Sequence, residues 1–144
     1  MAEKTLVLIK PDGLGLRNYV LQKIDEIGRV VYTHFYPQTP LELLAQHYRE
    51  HKGTNIFDWN MNYFNQNPLE VLVVEGERVV ERMRKLVGFS DPKRAELGTI
   101  RSLSKDSLEL ANIERRPIKN LVHCSGNKEE AEKEIKIWTS QEKV

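Results

Sequence analysis

The chain is poor in cysteine, in long apolar runs and in excess charge of either sign. Its 144 residues include one cysteine, Cys124, which excludes an internal disulfide framework. The longest unbroken apolar run covers residues 6–9 and is too short to span a membrane. The start Met1-Ala2-Glu3-Lys4 has no positively charged leader, and with the lone cysteine it predicts a cytoplasmic protein with no membrane partner.

The charge balance argues against a nucleic-acid partner. Lysine and arginine together number 22 and aspartate and glutamate 21, so the net charge is +1. Any phosphate group must therefore be bound by a few placed cations. The hydrophobic content is 40%, and neither a repeat nor a linker interrupts the apolar pattern. We expect a single domain over residues 1–144.

Strand and helix patterns alternate along the chain. Predicted strands cover residues 5–9, 30–36 and 69–74 and a short segment at 121–122. Predicted helices cover residues 17–27, 41–48, 79–87 and 128–138. Residues 5–9 are apolar on both faces, which is typical of a buried central strand, and Pro11-Asp12-Gly13 ends it with a turn. Taken alone, the alternation favours a doubly wound parallel sheet.

The last predicted helix carries a carboxylate on its buried side. Ala131, Ile135 and Trp138 form an apolar stripe at helical spacing, and Glu134 falls on the same stripe. A carboxylate that faces a core needs a partner, unless it only reaches the rim of that core. His123 lies just upstream, at the end of an apolar segment. A carboxylate on one ring nitrogen would fix its tautomer and leave the other nitrogen as a nucleophile or base.

Three cations stand at positions that suit phosphate binding. Lys10 follows a buried strand, Arg84 lies on the flank of an apolar helix stripe, and Arg101 follows Gly98-Thr99-Ile100. Each of them taken alone is equally consistent with an ordinary surface residue. The sequence contains neither a Walker lysine loop nor a GxGxxG motif nor a protein-kinase catalytic loop, so those signatures cannot carry the prediction.

Two other motifs suggest competing chemistry. His47-Tyr48-Arg49-Glu50-His51 matches the H-x-x-E-H pattern of inverted zinc peptidases, which places both histidines on one helix. Tyr48 lies on the apolar stripe of that helix, and no third ligand with supporting sequence follows, so we expect solvated histidines and no metal ligands. Cys124 is adjacent to His123 and on a strand would point to the opposite face, so we interpret it as a small buried residue.

Four segments together resemble nucleoside diphosphate kinases. They are Thr5-Leu-Val-Leu-Ile-Lys-Pro-Asp-Gly13, Gly98-Thr-Ile-Arg101, Asn120-Leu-Val-His-Cys-Ser125 and Ala131-Glu-Lys-Glu-Ile-Lys-Ile-Trp138. They occur in the order found in that family, and the resemblance extends from about Lys4 to Trp138. It implies transfer of the terminal phosphate of a nucleoside triphosphate, usually ATP, to a nucleoside diphosphate. The implied route is a ping-pong reaction through a phosphohistidine.

The resemblance also implies a role for each matching residue. His123 matches the nucleophile, Glu134 the glutamate that orients its ring, and Ser125 the serine that supports both. Lys10, Arg84 and Arg101 match the cations that neutralise the phosphates. Tyr48 matches the tyrosine near the transferred group, and Asn120 matches the asparagine near the sugar hydroxyl. Mg²⁺ would bridge phosphate oxygens largely through water, so no cage of protein carboxylates is expected.

The fold that the resemblance implies differs from the one suggested by alternation. Members of the family have a ferredoxin-like α/β sandwich with a four-stranded antiparallel sheet, and we adopt that fold. Helical material between about Pro40 and Asn67 would then be inserted between the second and third strands and form a wall of the nucleotide cleft. The family assembles as hexamers or tetramers, so a homo-oligomer is expected.

Several positions depart from the family pattern. Ser90 replaces a phosphate-binding threonine and keeps its hydroxyl. Ile56 stands where a phenylalanine commonly stacks on the base, with Phe57 as the nearest replacement. Asn60 replaces an apolar residue, and Gly126 an acidic residue near the water shell of the metal. These changes motivate an alternative function, a nucleotide-binding homologue with weak or lost turnover and a regulatory role.

An insertion relative to the family pattern occupies about residues 102–119. Ser104 or Asp106 is predicted to cap a short helix within it. Arg115 and Arg116 would reach phosphates or a neighbouring subunit, or else belong to a plain charged surface loop.

Overall fold

A four-stranded antiparallel sheet forms the centre of residues 2–139, the part of the chain that the computed structural model describes. The strands are β1 (Ala2–Ile9), β2 (Arg29–Tyr36), β3 (Leu69–Glu77) and β4 (Val122–Cys124). Their order in the sheet is β2-β3-β1-β4, with β1 paired antiparallel to both β3 and β4. This is the ferredoxin-like arrangement that the resemblance implied, and the parallel sheet favoured by alternation alone is wrong.

The helices of residues 2–139 pack on both faces of the sheet. They are α1 (Arg17–Asp25), α2 (Leu41–His47), α3 (Asn55–Phe64), α4 (Val79–Val87), α5 (Leu108–Glu114) and α6 (Lys128–Trp138). One core lies under α1 and α4 and includes Val7, Ile24 and Met83. The opposite core lies under α2, α3 and α6 and includes Phe64 and Trp138.

Burial on both faces explains the misleading strand pattern. Residues 6–9 of β1 are fully buried, as are residues 71–74 of β3. Continuous apolar runs of this kind are commonest in parallel sheets, because helices usually cover both faces of such sheets. Here the same coverage occurs on an antiparallel sheet, so the hydrophobic pattern reports burial and not strand direction. Within the described residues, no helix is long and apolar enough to cross a membrane.

The polypeptide at the end of β1 is tied to the polypeptide that enters β4. The backbone N–H of Lys10 donates to the carbonyl of Leu121, at 3.0 Å, and Leu121 has a left-handed φ of 79°. Asp12 accepts the N–H of Leu121 at 2.8 Å and the hydroxyl of Tyr63 at 2.6 Å. A Cβ on Gly13 would lie 2.1 Å from the Leu121 carbonyl oxygen, so this close approach requires glycine.

Candidate active site

Lys10 and Asn120 lie where these two segments meet. Lys10 is only 7% exposed, and its ammonium donates to Asn120 Oδ1 at 2.8 Å. Burial lowers the pKa of Lys10 to about 8, against the opposing attraction of Asp12. The amide of Asn120 donates in turn to the backbone carbonyl of Ser90 at 2.9 Å. Lys10, Asn120 and the backbone of Ser90 are therefore held together, and their roles in nucleotide binding stay predictions.

Arg101 lies against the edge of the sheet and is held by backbone carbonyls. It donates through Nη2 to the Val122 carbonyl at 2.9 Å and through Nη1 to the Gly88 carbonyl at 3.1 Å. Burial lowers the pKa of Arg101, but a guanidinium keeps its charge in proteins. Gly88 ends α4, so these bonds fix the guanidinium between α4 and β4.

A cleft of about 820 Å³ opens beside Arg101. Arg84, Ser90 and Cys124 are among its lining residues. The guanidinium groups of Arg84, Arg94 and Arg101 and the Ser90 hydroxyl provide, on one concave surface, the donor types that bind phosphate oxygens. The prediction of Cys124 as a buried residue is only partly right, because its thiol is half-buried and faces this cleft. Burial raises the pKa of Cys124 to about 11, so it remains a thiol at neutral pH.

His123 is hydrogen-bonded to Glu134, at 3.0 Å between Nε2 and Oε1. Strand β4 places His123 beside Leu8 of β1, and α6 packs on β1 from the same side. Ser125 donates its hydroxyl to the same Oε1 at 2.7 Å. Burial alone would raise the pKa of Glu134, but the hydrogen bonds from His123 and Ser125 and the attraction of a protonated His123 outweigh it, so the pKa is lowered. Because an ionised carboxylate only accepts, Nε2 carries the proton, and in the neutral ring Nδ1 has a free lone pair.

His47 and Tyr48 adjoin His123 in a smaller depression of about 180 Å³. The rings of His47 and His123 meet edge to face, with centroids 4.6 Å apart. Trp138 donates its indole N–H to His47 Nδ1 at 3.1 Å. His47 is therefore not the solvated helix residue that the sequence predicted. Burial of the Tyr48 hydroxyl raises its pKa, so it remains a neutral phenol that can donate a hydrogen bond.

The zinc-peptidase pattern does not form its expected geometry. Helix α2 ends at His47, and His51 lies in a separate 3₁₀ turn, Arg49–His51. The two histidines are thus not one turn apart on a helix. One nitrogen or oxygen from each of His47, His123 and Glu134 lies within 4.8 Å of the other two, whereas His51 is exposed.

The predicted base-binding residues, Ile56 and Phe57, do not line the 820 Å³ cleft. Ile56 is 48% exposed near the start of α3, and Phe57 is half-buried beside it. Asn60 is buried and donates its side-chain amide to the Ile56 carbonyl at 2.9 Å, so its polar group is satisfied within the helix.

Gly126 is close to a carboxylate from the next helix. Its N–H donates to Glu130 Oε2 at 3.0 Å. A Cβ on Gly126 would lie 2.4 Å from that oxygen. Glu130 therefore brings a negative charge next to the position where the family pattern has an acidic residue.

The insertion folds on itself. Ser107, and not Ser104 or Asp106, caps α5 by accepting the N–H of Leu110. Asp106 instead accepts from both Nη atoms of Arg116, at 2.7 and 2.9 Å, and from the N–H of Lys119 at 2.7 Å. The Arg116 guanidinium is thus engaged within the insertion, whereas Arg115 is exposed, and a contact of either residue with phosphates or a neighbouring subunit stays a prediction.

Sequence reasoning missed two residues next to the site. His47 contacts the His123 ring, and Asp12 holds the segment that leads into β4. The Pro11-Asp12-Gly13 turn was a usable signal for Asp12, since aspartate in turns commonly accepts backbone N–H groups. For His47 the sequence held no local signal of this contact, because His123 lies far along the chain.

The arrangement provides what phosphoryl transfer needs. It combines an imidazole with a free lone pair, an ionised carboxylate on the other ring nitrogen, and three cations nearby, Lys10, Arg84 and Arg101. Phosphoryl transfer depends on positioning and charge neutralisation more than on other covalent chemistry from the protein.

Comparison with known proteins decides the family. The sequence profile described as "Nucleoside diphosphate kinase" matches residues 3–144. The chain belongs to the nucleoside diphosphate kinase family. It is therefore a phosphotransferase that moves a phosphate from a nucleoside triphosphate to a nucleoside diphosphate.

Named relatives and solved structures agree with this assignment. The nucleoside diphosphate kinase of Pyrococcus furiosus is 36% identical over 144 residues, covering 99% of this chain and 86% of the relative. That of Clostridium perfringens is 36% identical over 138 residues, covering 94% and 90%. The Borrelia burgdorferi enzyme, solved as a transition-state mimic with vanadate and ADP, has a TM-score of 0.87, with 31% identity over 95% of this chain and 86% of that one. The Pyrobaculum aerophilum enzyme has a TM-score of 0.81, with 31% identity over 96% of both chains.

Proposed function

We propose that this nucleoside diphosphate kinase works by a ping-pong mechanism in which Nδ1 of His123 carries the phosphoryl group. The observation that supports this most directly is the 3.0 Å contact between His123 Nε2 and Glu134. It assigns the proton to Nε2 and the lone pair to Nδ1. Ser125, hydrogen-bonded to the same carboxylate oxygen, keeps Glu134 in place.

In the first half-reaction, the Nδ1 lone pair attacks the γ-phosphorus and a P–N bond forms. The bond from that phosphorus to the β–γ bridging oxygen breaks, and the nucleoside diphosphate leaves with the electron pair. The His123 ring then gains positive character, which the Glu134 carboxylate stabilises across the Nε2–H bond. A second nucleoside diphosphate reverses these steps and restores the neutral ring.

The cations bind the phosphates during transfer. Lys10, Arg84 and Arg101 supply positive charge where negative charge spreads over the phosphoryl oxygens. The Ser90 hydroxyl and the Tyr48 phenol donate hydrogen bonds near the transferred group, and Asn120 binds a sugar hydroxyl. Ile56 and Phe57 contact the base through apolar surface alone, which predicts broad tolerance among bases.

The residues of this site fit a Mg²⁺ ion that would arrive with the nucleotide. Apart from His47, His123 and Glu134, residues 2–139 contain no group of three metal-ligating side chains close enough to hold an ion. The cleft is lined by three arginines and a lysine but by a single carboxylate, Glu96, so the donor set fits a metal that would be held by the nucleotide's own phosphate oxygens and by water. The ion supplies charge neutralisation. Glu130, which accepts from the Gly126 N–H, would be the carboxylate that accepts from water on such an ion.

We also infer one catalytic domain over residues 1–144 and a homo-oligomer, tetramer or hexamer, in the cytoplasm. β2 is an edge strand of the sheet, and Phe35 on it is 52% exposed. An edge strand with an exposed aromatic ring is a ready surface for pairing with a second copy. Light scattering coupled to size exclusion measures the subunit number, and a monomer at working concentration contradicts the assembly.

The decisive test of function is transfer from ATP to GDP, with ADP binding measured in parallel. His123→Ala is expected to abolish GTP formation and to retain folding and ADP binding. A variant that still transfers phosphate would contradict the role of His123. An unaltered chain that binds ADP but forms no GTP would favour the regulatory homologue with lost turnover.

A further inference from the structure

The His123 ring is held at two places. Its Nε2–H is bound to Glu134, and the ring also meets His47 edge to face. The hydrogen bond alone constrains the ring weakly against rotation about the Cβ–Cγ bond. Nε2 lies close to that rotation axis, whereas Nδ1 lies farther from it and moves more for the same rotation. The χ2 torsion of histidine is intrinsically broad, so a second contact is needed to fix Nδ1.

The His47 ring is itself fixed. Trp138, which is 2% exposed, donates its indole N–H to His47 Nδ1 at 3.1 Å. The rings of His47 and Trp138 are also in contact, with centroids 5.9 Å apart. Tyr48 packs against His47 edge to face at 4.8 Å. Two aromatic neighbours and a hydrogen bond therefore hold the ring that touches the nucleophile.

Neutrality suits His47 to this position. Burial lowers the pKa of His47 to about 3, and a protonated His123 and the positive charge of Lys10 act in the same direction. The carboxylate of Glu134 opposes them without restoring the pKa. A neutral ring can pack beside His123 without repelling the positive character that develops there during transfer. Because Trp138 donates to Nδ1, the His47 proton resides on Nε2.

We propose that His47 is a positioning residue for phosphoryl transfer, holding the rotation of the His123 ring through their edge-to-face contact. This inference rests on the proposed role of His123 as nucleophile. It assigns to His47 no contact with the nucleotide and no proton transfer. Its consequence is that loss of the His47 ring slows phosphorylation of His123 and leaves nucleotide affinity unchanged.

The test is the single-turnover rate of His123 phosphorylation by ATP with Mg²⁺, measured by rapid quench, with ADP affinity measured by calorimetry. His47→Ala is expected to lower the rate about 10- to 100-fold, the cost of a misplaced reacting atom, with ADP affinity within about twofold. His47→Phe keeps a ring against His123 and is expected to recover most of the rate. It leaves the Trp138 indole N–H without its acceptor, so its melting temperature falls.

The matched control is His51→Ala, because His51 lines the same depression yet is exposed. It is expected to phosphorylate at the unaltered rate. An unaltered rate in His47→Ala, or equal losses of rate and ADP affinity, would overturn the proposal. So would a His47→Phe variant as slow as His47→Ala. A His123→Ala sample run in parallel distinguishes failure of the His47 proposal from failure of the proposed function, since phosphate on that variant would refute the role of His123 as nucleophile.

Discussion

Replacing Glu134 with alanine removes the group that faces the nucleophile. The carboxylate is 13% exposed and accepts from His123 at 3.0 Å and from Ser125 at 2.7 Å. A hydrogen bond to a charged group contributes about 1.5–3 kcal/mol. If that stabilisation is realised as the ring becomes positive, the turnover number falls about 10- to 150-fold, at ~1.4 kcal/mol for each factor of ten.

The assay is steady-state transfer from ATP to GDP, with ADP affinity measured separately. Glu134 contacts the ring and not the phosphate cleft, so Glu134→Ala is expected to lower turnover much more than affinity. Glu134→Gln keeps the size of the side chain and an acceptor oxygen but loses the charge. Its turnover should lie between that of Glu134→Ala and that of the unaltered chain. Turnover in Glu134→Ala equal to that of the unaltered chain would refute the proposed role.

Three further predictions concern charge and close packing around the site. The Lys10 ammonium has a pKa of about 8, so kcat/KM should fall as the pH rises through about 8 and the lysine loses its charge. Lys10→Met should be slow at every pH and should lack that fall. A pH profile in the variant identical to that of the unaltered chain would contradict the role of Lys10 in binding phosphate. The pKa of Asp106 is lowered to about 2 by Arg116, so this pair stabilises the fold above about pH 4 and is lost as pH falls toward 2. Asp106→Asn should therefore lower the melting temperature at pH 7 by several degrees. It should also remove this pair's share of the loss of stability between about pH 4 and pH 2, which thermal unfolding measured at pH 7 and at about pH 2 would show. Gly13→Ala places a Cβ 2.1 Å from the Leu121 carbonyl oxygen, so it should lower the free energy of unfolding by about 1–3 kcal/mol and remove most of the turnover. A stable, fully active variant would contradict the close approach of these two segments.

The elements of the fold were predictable to different degrees. The apolar stretch in β1 and the stripes of α4 and α6 follow directly from burial periodicity, and the structure confirms them. Strand direction did not follow, because β1 and β3 are buried on both faces and lose the alternation that marks most antiparallel sheets. Direction was supplied by the family resemblance.

The site was predictable where one local pattern was enough. Glu134 was placed beside the core by helical spacing, and the structure puts its carboxylate on His123. The contact of His47 with His123 joins residues 76 positions apart in the sequence, so no local pattern carries it. The cap of α5 was misassigned because Ser104, Asp106 and Ser107 are all capping residue types. Tertiary bonds to Asp106 decided among them.

The most direct test of the central claim is the intact mass of the chain after brief incubation with ATP and Mg²⁺, followed by a chase with GDP. We expect a gain of one phosphate that is acid-labile, removed by GDP and absent from His123→Ala. A chain that forms GTP without ever gaining this phosphate, or that gains it on His123→Ala, would contradict a phosphohistidine mechanism at His123.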